Sequence, residues 1–381
     1  MKFIYGHSLR FLDVHPSKSE LSEKLFQLGH EHEINGEIFD MEITPNRGDC
    51  LSLNGLARDL NVFFGRSESY SIFEGDIKDL SIDFQNFSPS DCPKISFLEI
   101  EVEGEPSKYK PYLENFFSHL ENKKINFFTD ISNYLSYELG QPTHCYDASK
   151  ISDQLIFDNE VRSDIFETLL GEEIQLKDKN CIFKIKNEVI NLAGVMGGIS
   201  TACNTKTKKA LIECAFFNPE AIIGKTIKYN IVSDAAYKFE RGVNIASQDH
   251  VLRRYIQIVR DHIKIKSIKK KSFTEPETNK SGLEIDVYKI NKILGTSLQK
   301  AEYLSYLNKL GFIINDSIEI PSHRHDISSQ NDLAEEIARV ISYNNIEEQP
   351  IEISNSQNID LEHIDKVRYF LANIGFTEVI N

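Results

Sequence analysis

The stretch "EITPNRGDCLSLNGLARDL", residues 42–60, organises the whole sequence, because a later stretch aligns with it without gaps. That later stretch is "EIPSHRHDISSQNDLAEEI", residues 319–337. The identical positions include Glu42, Ile43, Arg47, Asp49, Asn54, Leu56 and Ala57, matched by Glu319, Ile320, Arg324, Asp326, Asn331, Leu333 and Ala334. Either the chain contains two copies of one small α+β module, or two amphipathic units resemble each other by chance.

A predicted helix precedes each of these stretches. "KSELSEKLFQLGH" (18–30) and "AEYLSYLNKLGF" (301–312) both place leucines at helical spacing and then a glycine, which is a common helix stop. A strand and a second helix follow in both cases. The pattern therefore predicts a helix–strand–helix module at residues 1–75 and a repeat of it at residues 275–350.

A longer α/β region separates the two modules, at residues 90–272. "ISFLEIEVEG" (95–104) alternates like a strand, and "CIFKIKNEVINLAGVMGG" (181–198) is typical of a hairpin that ends in a glycine turn. The composition of "EPETNKSG" (275–282) indicates a linker. After residue 350 a third helix and the start of a strand are expected, and the sequence stops inside that element. We therefore expect an α+β multidomain fold that ends in the fragment 351–381.

The composition narrows the class of protein. A net charge of −15 excludes nucleic-acid binding through the general field of the molecule. The apolar runs are too short to span a membrane, and the N-terminus lacks the apolar segment of a signal peptide. Six scattered cysteines without a CxxC pair indicate reduced thiols and argue against a zinc site. We expect a cytoplasmic protein without a membrane partner.

Four acidic residues crowd the start of the last predicted helix of the second module. They are Asp326, Asp332, Glu335 and Glu336. A capping box needs only a cap residue and one acid three positions later, so part of this set is surplus to capping. Hard oxygen ligands around an open position suit Mg²⁺. Capping with surface solvation and a metal site both remain open on spacing alone.

The middle region contains candidate site residues in four stretches. These are "SNYLSYELGQPTHCYD" (132–147) with His144 after Pro142, "AGVMGGIS" (193–200) with its glycines, "LIECAFFNP" (211–219) with Glu213, and "VSDAAYKFERGV" (232–243). A carboxylate in an apolar strand is costly to bury unless it is paired or used, so Glu213 is the most informative of these residues. Arg241 is a candidate partner in an ordinary buried ion pair.

Structural explanations also exist for the other candidates. A histidine after a proline turn is commonly a hydrogen-bonded structural residue, and a glycine turn is commonly only a turn. The sequence has no GxSxG, HExxH or CxxC motif, so a nucleophile or zinc mechanism has no support.

Taken together, these stretches resemble the beta subunit of bacterial phenylalanyl-tRNA synthetase. The resemblance is carried, in order, by "TPNRGDCLSLNGLARDL", "SNYLSYELGQPTHCYD", "NLAGVMGG", "LIECAFFNPEAI", "SDAAYKFERGV" and "HRHDISSQNDLAEEIAR". It implies that residues 90–272 form an editing domain that hydrolyses tyrosine mistakenly attached to tRNA-Phe. Residues 351–381 would begin a truncated synthetase-like domain. The implied partners are tRNA-Phe and an alpha subunit, which binds ATP and performs aminoacylation in an α₂β₂ tetramer.

The resemblance also implies roles for single residues. His144 matches the editing-site histidine beside the scissile ester, and Glu213 matches the carboxylate that recognises the tyrosine hydroxyl. The implied substrate-binding positions in the pocket wall are Pro142, Gly197, Ser233 and Ala235. Backbone N–H groups at Gly197 and Gly198 are candidates for stabilising the oxyanion.

For the acidic cluster, the resemblance favours metal binding over capping. Asp326, Asp332, Glu335 and Glu336 match acids that bind Mg²⁺ at a site shared with the alpha subunit.

The sequence departs from the family at several points. The OB-fold tRNA-binding domain that normally precedes residue 42 is replaced by the short stretch 33–41. Ser233 stands where threonine is usual, and His323 stands where tryptophan is usual. These departures keep a second hypothesis open, in which editing is lost and the chain is a scaffold for the alpha subunit. A free-standing RNA-binding module is a third, which the acidic charge disfavours.

Overall fold

The structure is a computed structural model. It describes residues 1–67, 70–106, 108–274, 282–348 and 361–380, and the side chains of residues 361 and 362 are not described. The predicted linker at 275–282 lies outside the described residues, apart from its last position.

The first module is a small antiparallel sheet with helices packed on it. Its elements are β1 (Lys2–Ile4), α1 (Tyr5–Ser8), α2 (Lys18–Gln27), β2 (Glu31–Asn35), β3 (Ile38–Glu42) and α3 (Leu53–Phe64). The strand order is β1-β3-β2. Helix α2 begins where Ser17 and Glu20 form a capping box, and Gly29 follows its end with a φ of 84°. Local signals of this kind explain why this helix was predictable.

The central region contains most of the strands. In chain order its elements are β4 (Lys78–Asp79), β5 (Phe84–Asn86), β6 (Lys94–Val102), α4 (Pro111–His119), α5 (Phe127–Leu139), β7 (His144–Asp147), β8 (Leu155–Val161), β9 (Ile165–Glu167), β10 (Glu173–Gln175), β11 (Lys179–Ile185), β12 (Glu188–Leu192), β13 (Met196–Gly197), β14 (Lys209–Phe216), α6 (Pro219–Ile222), α7 (Lys225–Tyr229), α8 (Asp234–Phe239), α9 (Gln248–His262) and β15 (Ile265–Thr274). Strands β4, β5 and β15 extend this region beyond both ends of the 90–272 range.

Two five-stranded sheets form the body of the central region. One has the order β4-β15-β6-β14-β7, and the other has the order β13-β12-β11-β8-β5. Their facing sides enclose an apolar core that includes Phe97, Phe157 and Phe183. The opposite side of the first sheet is covered by α5 and α9. On this helix-covered side, the central region and both modules contribute to a second apolar core, whose residues range in sequence from Phe3 to Val340.

The second module and the C-terminal segment complete the described chain. Their elements are α10 (Val287–Leu294), α11 (Lys300–Lys309), β16 (Ile313–Ile314), β17 (Ile318–Glu319), α12 (Gln330–Ile341) and α13 (Leu361–Asn373). Gly375 follows α13 with a φ of 93°, as expected for a helix stop. The strand expected after it is absent from residues 376–380, so that part of the prediction is wrong for the described residues.

The two modules have matching local structure at their last helices. Ser52 caps α3 by accepting a hydrogen bond from the N–H of Gly55, and Ser329, at the aligned position, caps α12 in a capping box with Asp332. The matching caps support a true repeat over chance similarity. The predicted fold class, α+β modules around a mixed α/β region, is confirmed. No helix among the described residues has the length and apolar composition needed to cross a membrane.

Candidate active site between the two sheets

Strand pairing brings the two main candidate residues together. β7 and β14 are antiparallel neighbours, and their register places His144 directly opposite Glu213. Directly opposed residues point to the same face of a sheet, with Cβ atoms about 5 Å apart. Both residues line a cavity of about 70 Å³.

Glu213 is held by neutral donors. Only 4% of the residue is exposed. The Tyr146 hydroxyl donates to its Oε2 at 2.7 Å, and the Asn191 Nδ2 donates to the same oxygen at 3.2 Å and to the Tyr146 oxygen at 2.8 Å. Arg241 instead pairs with Glu240 at 2.7 Å. The hypothesis of a Glu213–Arg241 ion pair is therefore wrong.

Burial shifts the pKa values of Glu213 and His144 in the directions that favour their neutral forms. Desolvation raises the pKa of Glu213 to about 7, against the opposing effect of the Tyr146 and Asn191 hydrogen bonds. Desolvation lowers the pKa of His144 to about 4. The buried Nε2 of His144 has no hydrogen-bond partner among the described residues. A neutral imidazole and a half-ionised carboxyl therefore share one cavity at neutral pH.

Three of the four predicted pocket-wall residues line this cavity, namely Pro142, Gly197 and Ala235. Ser233 does not line it. Its hydroxyl donates to the carbonyl oxygen of Val195 at 2.6 Å and accepts from the N–H of Ala236, which caps α8. Ser233 thus supports the wall without forming its surface.

Only glycine fits at position 197, because the His144 ring lies against its backbone. A Cβ atom at position 197 would lie 2.2 Å from Cε1 of His144. The neighbouring Gly198 uses its N–H to donate to the carbonyl oxygen of Ile190 at 2.9 Å. The prediction that the Gly198 amide is free to stabilise an oxyanion is therefore wrong in this conformation.

The small cavity adjoins a larger one of about 610 Å³. Pro142, Thr143 and Ala235 line both. The larger cavity is also lined by three lysines, Lys2, Lys123 and Lys238. A ligand bound between Glu213 and His144 would thus have space for a bulkier attached group on one side.

Tyr146 and Asn191 are functional candidates that the sequence did not reveal. Tyr146 follows His144 by two positions, so the strand period places both side chains on one face. That signal was available once a strand was assigned. Asn191 comes from the opposite sheet, and its approach to Glu213 depends on how the two sheets pack.

The four acids of the second module lie in three different surroundings. Asp326 and Glu336 each accept two hydrogen bonds from Arg324, at 2.6–2.9 Å. Asp332 accepts from the N–H groups of Ser328 and Ser329, both at 2.8 Å, at the start of α12. Glu335 is exposed.

Because a guanidinium fills the space between two of the acids, this arrangement does not fit Mg²⁺. The group of three potential ligand atoms found among the described residues is a different one, of His30, Cys50 and Asp59. Arg47 and Arg339 bond to Asp59 in that group, which disfavours a cation there as well. Magnesium binding by the four acids stays a prediction.

Comparison with known proteins agrees with the resemblance. The family model described as the B3/4 domain matches residues 105–264, and the one described as the tRNA synthetase B5 domain matches residues 283–343. Relatives named phenylalanine–tRNA ligase beta subunit include the proteins of Rickettsia prowazekii and Aquifex aeolicus. Each is 30% identical to this chain, and each alignment covers 91% of this chain. The alignments cover 46% of the Rickettsia protein and 45% of the Aquifex protein. The relative from a Wolbachia of Brugia malayi is 28% identical, and its alignment covers 94% of this chain and 48% of the relative's length.

A crystal structure of an N-terminal fragment of the phenylalanyl-tRNA synthetase beta subunit from Pyrococcus horikoshii is similar with a TM-score of 0.47 and 12% identity, covering 90% of this chain and 99% of the fragment. The chain spans about half the length of the curated relatives it matches. In its sequence and its two matched domains, this chain is similar to phenylalanine–tRNA ligase beta subunits.

Proposed function

We propose that this chain removes tyrosine from mischarged tRNA-Phe by ester hydrolysis in the cavity between His144 and Glu213, as part of a phenylalanine–tRNA ligase. The observation that carries the proposal is the cross-strand pairing of these two residues beside one cavity. The alpha subunit, its ATP, tRNA-Phe and a cytoplasmic location belong to the same proposal.

Glu213 supplies a physical basis for choosing tyrosine over phenylalanine. A pocket built for phenylalanine rejects an isostere with one added hydroxyl only weakly, so a second site that recognises the hydroxyl is needed. The Glu213 carboxyl, buried between two sheets, can hydrogen-bond a phenol. Tyr146 and Asn191 bond to Oε2 of Glu213, so a phenylalanine ring in the same place would leave Oε1 without a hydrogen bond from the ligand, which costs about 1–3 kcal/mol. This cost corresponds to a preference of roughly 5- to 150-fold.

His144 is suited to orienting a reactant. Since its pKa is lowered to about 4, it is neutral at pH 7 and is a weak base. Its unpartnered Nε2 can bond a water molecule or a ribose hydroxyl beside the ester. We therefore assign His144 to positioning the attacking water and not to holding a charge.

Two observations favour the second candidate function, a scaffold without editing activity. A cavity of about 70 Å³ is smaller than the roughly 300–1,000 Å³ of ordinary ligand pockets. The hydroxyl of Tyr146 also already occupies one oxygen of Glu213. Under the editing proposal, the cavity opens toward its larger neighbour when substrate enters.

Deacylation assays distinguish the two functions. We expect the wild-type chain to hydrolyse Tyr-tRNA-Phe at least about tenfold faster than Phe-tRNA-Phe. Glu213→Ala should remove this preference, and His144→Ala should slow both reactions. Glu188→Gln, at an exposed position on the hairpin that carries Asn191, is the matched control. Hydrolysis at the background rate in wild type and Glu213→Ala alike would favour the scaffold.

Magnesium binding by Asp326, Asp332, Glu335 and Glu336 is a separate proposal, supported by the family resemblance and opposed by the Arg324 contacts. Calorimetric titration with Mg²⁺, with and without an alpha subunit, tests it. Loss of a saturable heat in Asp326→Asn and Glu335→Gln would support the metal site. Absence of such a heat in wild type under both conditions would leave capping and ion pairing as the roles of these acids.

A further inference from the structure

A cavity of about 260 Å³ lies where the two modules and the central region meet. Asp49 and Arg58 line it from the first module, Ser247 and His250 from the start of α9, and His323 from the second module. None of these residues takes part in the proposed hydrolysis. The cavity is therefore a separate feature of the fold.

Arg58 brings an incompletely paired positive charge to this cavity. Its side chain is 17% exposed. Its Nη2 contacts Asp49 only at long range, at 3.4 Å to the carbonyl oxygen and 4.0 Å to Oδ2. Its buried Nε has no hydrogen-bond partner within the described part of the chain. An arginine has five donors, so most of the capacity of Arg58 is unused.

The nearby carboxylate of Asp49 neutralises Arg58 only in part. Asp49 accepts two hydrogen bonds from Arg47, at 2.9 and 3.1 Å, in a planar two-bond pair. Its charge is therefore already shared with another guanidinium. Burial and the adjacent Arg58 lower the pKa of His323 to about 3, so this histidine is neutral at pH 7 and adds hydrogen-bonding capacity without charge.

The start of α9 adds a second source of positive potential. This 15-residue helix begins at Gln248, and its cap residue Ser247 makes no side-chain cap bond. The Ser247 hydroxyl instead donates to the carbonyl oxygen of Asn244 at 2.8 Å and to Oε1 of Gln141 at 3.3 Å. The first-turn N–H groups of a helix without a cap attract anions. Ser247 and His250 place this turn in the wall of the cavity.

The size of the cavity limits what it can hold. Its volume of about 260 Å³ equals the share of roughly nine water molecules in the liquid, so it can contain a tetrahedral anion with some water. It is smaller than the roughly 300–1,000 Å³ of pockets for larger ligands. The charge and the size together favour a small oxyanion.

We propose that the cavity between Arg58 and the start of α9 is a binding site for a small oxyanion of the phosphate class. The guanidinium of Arg58 and the first turn of α9 hold the anion from two sides, and His323 adds a hydrogen bond. Because residues from both modules and the central region line the site, a bound anion would also stabilise their association.

Calorimetric titration of the 381-residue chain with inorganic phosphate tests this proposal. The titration is done in phosphate-free buffer at constant ionic strength set with chloride. We expect saturable binding by wild type and a dissociation constant at least about tenfold higher for Arg58→Gln. Arg253→Gln is the matched control, because Arg253 also lies on a helix and forms an ion pair but does not line the cavity, and it should bind as wild type does.

A second variant tests the cavity without touching the charge. Ala246 is exposed and lines the cavity, so Ala246→Trp should block entry while Arg58 remains. We expect at least about tenfold weaker binding here as well, which keeps the test valid if Arg58→Gln does not fold. Displacement of phosphate by short single-stranded RNA would identify a phosphodiester as the natural ligand, and failure to displace it would identify a free anion. Wild type without saturable binding, or two folded variants that bind as wild type does, would overturn the proposal.

Discussion

Glu213 lies between two sheets with a hydroxyl and an amide as its partners, and none of the described residues provides it with a cation. A carboxylate in such a place is destabilised by desolvation, and its hydrogen bonds offset only part of this effect. A residue that costs stability in the folded state is a reasonable candidate for a role in recognition. Its proton affinity offers a direct test of this environment.

Replacing Glu213 should change how stability depends on pH. Its pKa is raised from 4.5 to about 7 on folding, so between these values the folded state binds more protons than the unfolded state. This difference in proton binding stabilises the folded state by about 3 kcal/mol in total. The whole of this stabilisation is present below about pH 4.5, and it is lost as the pH rises to about 7. We expect Glu213→Gln to be more stable relative to wild type at about pH 8 than at about pH 5.

The measurement is the free energy of unfolding by denaturant at the two pH values, with Glu188→Gln as the control for the loss of one exposed carboxylate. An equal difference between wild type and Glu213→Gln at both pH values would contradict the raised pKa.

Gly197 offers a second test, at the contact with His144. The Cβ of Gly197→Ala would overlap Cε1 of His144, so we expect the ring to move and hydrolysis of Tyr-tRNA-Phe to fall at least about tenfold. Gly6→Ala is the control, since no atom lies within 4 Å of the added Cβ there. Unchanged hydrolysis in Gly197→Ala would argue against a part for His144 in positioning.

At the start of α12, the side chain of Asp332 caps the helix. Asp332 accepts hydrogen bonds from two backbone N–H groups and from the Ser329 hydroxyl, which satisfies donors that a helix start leaves open. Glu335, one turn later, is exposed. The two acids should therefore differ in their effect on stability.

We expect Asp332→Ala to lower the free energy of unfolding by about 1 kcal/mol, as for other cap residues. Glu335→Ala, on the same helix, should change it by less than about 0.5 kcal/mol. Denaturant titration without added metal measures both values. Equal losses in the two variants would contradict a capping role specific to Asp332.

The association of the two modules depends on a buried network of charges. Arg47 pairs with Asp59 in the first module, and Arg324 pairs with Glu336 at the aligned positions of the second. Arg339 joins the two by bonding to Asp59 at 2.7 and 3.1 Å and to Glu336. One arginine thus links the repeated ion pairs across 280 residues of sequence.

Removing Arg339 should be costly for the whole molecule. Arg339→Leu leaves Asp59 and Glu336 buried with one cation fewer between them, and breaking a buried pair in this way costs about 3–5 kcal/mol. Arg253→Leu, which breaks a more exposed pair with Asp249, should cost less than about 1 kcal/mol. The free energy of unfolding distinguishes the two, and a loss in Arg339→Leu no larger than in the control would exclude a linking role.

Several features were predictable from the sequence because they depend on neighbours a few residues apart. The capping box of α2, the glycine stops after α2 and α11, and the apolar alternation of β6 are of this kind. The repeat was also predictable, since its two copies share both a cap and an arginine with an acidic partner. The presence of Glu213 in an apolar strand identified the most informative candidate site residue.

What those residues contact was set by packing between distant segments. Asn191 reaches Glu213 because one sheet packs on the other, and Arg339 reaches Asp59, 280 residues away in the sequence, because the two modules pack together. The spacing of the four acids left capping and metal binding both open, because spacing carries no information on which cation lies nearest. Helix caps, helix stops and strand patterns depend on residues close in sequence, so the sequence predicts them. The partner of a buried charge depends on which surfaces pack against each other and exclude water, and this is decided by the tertiary structure.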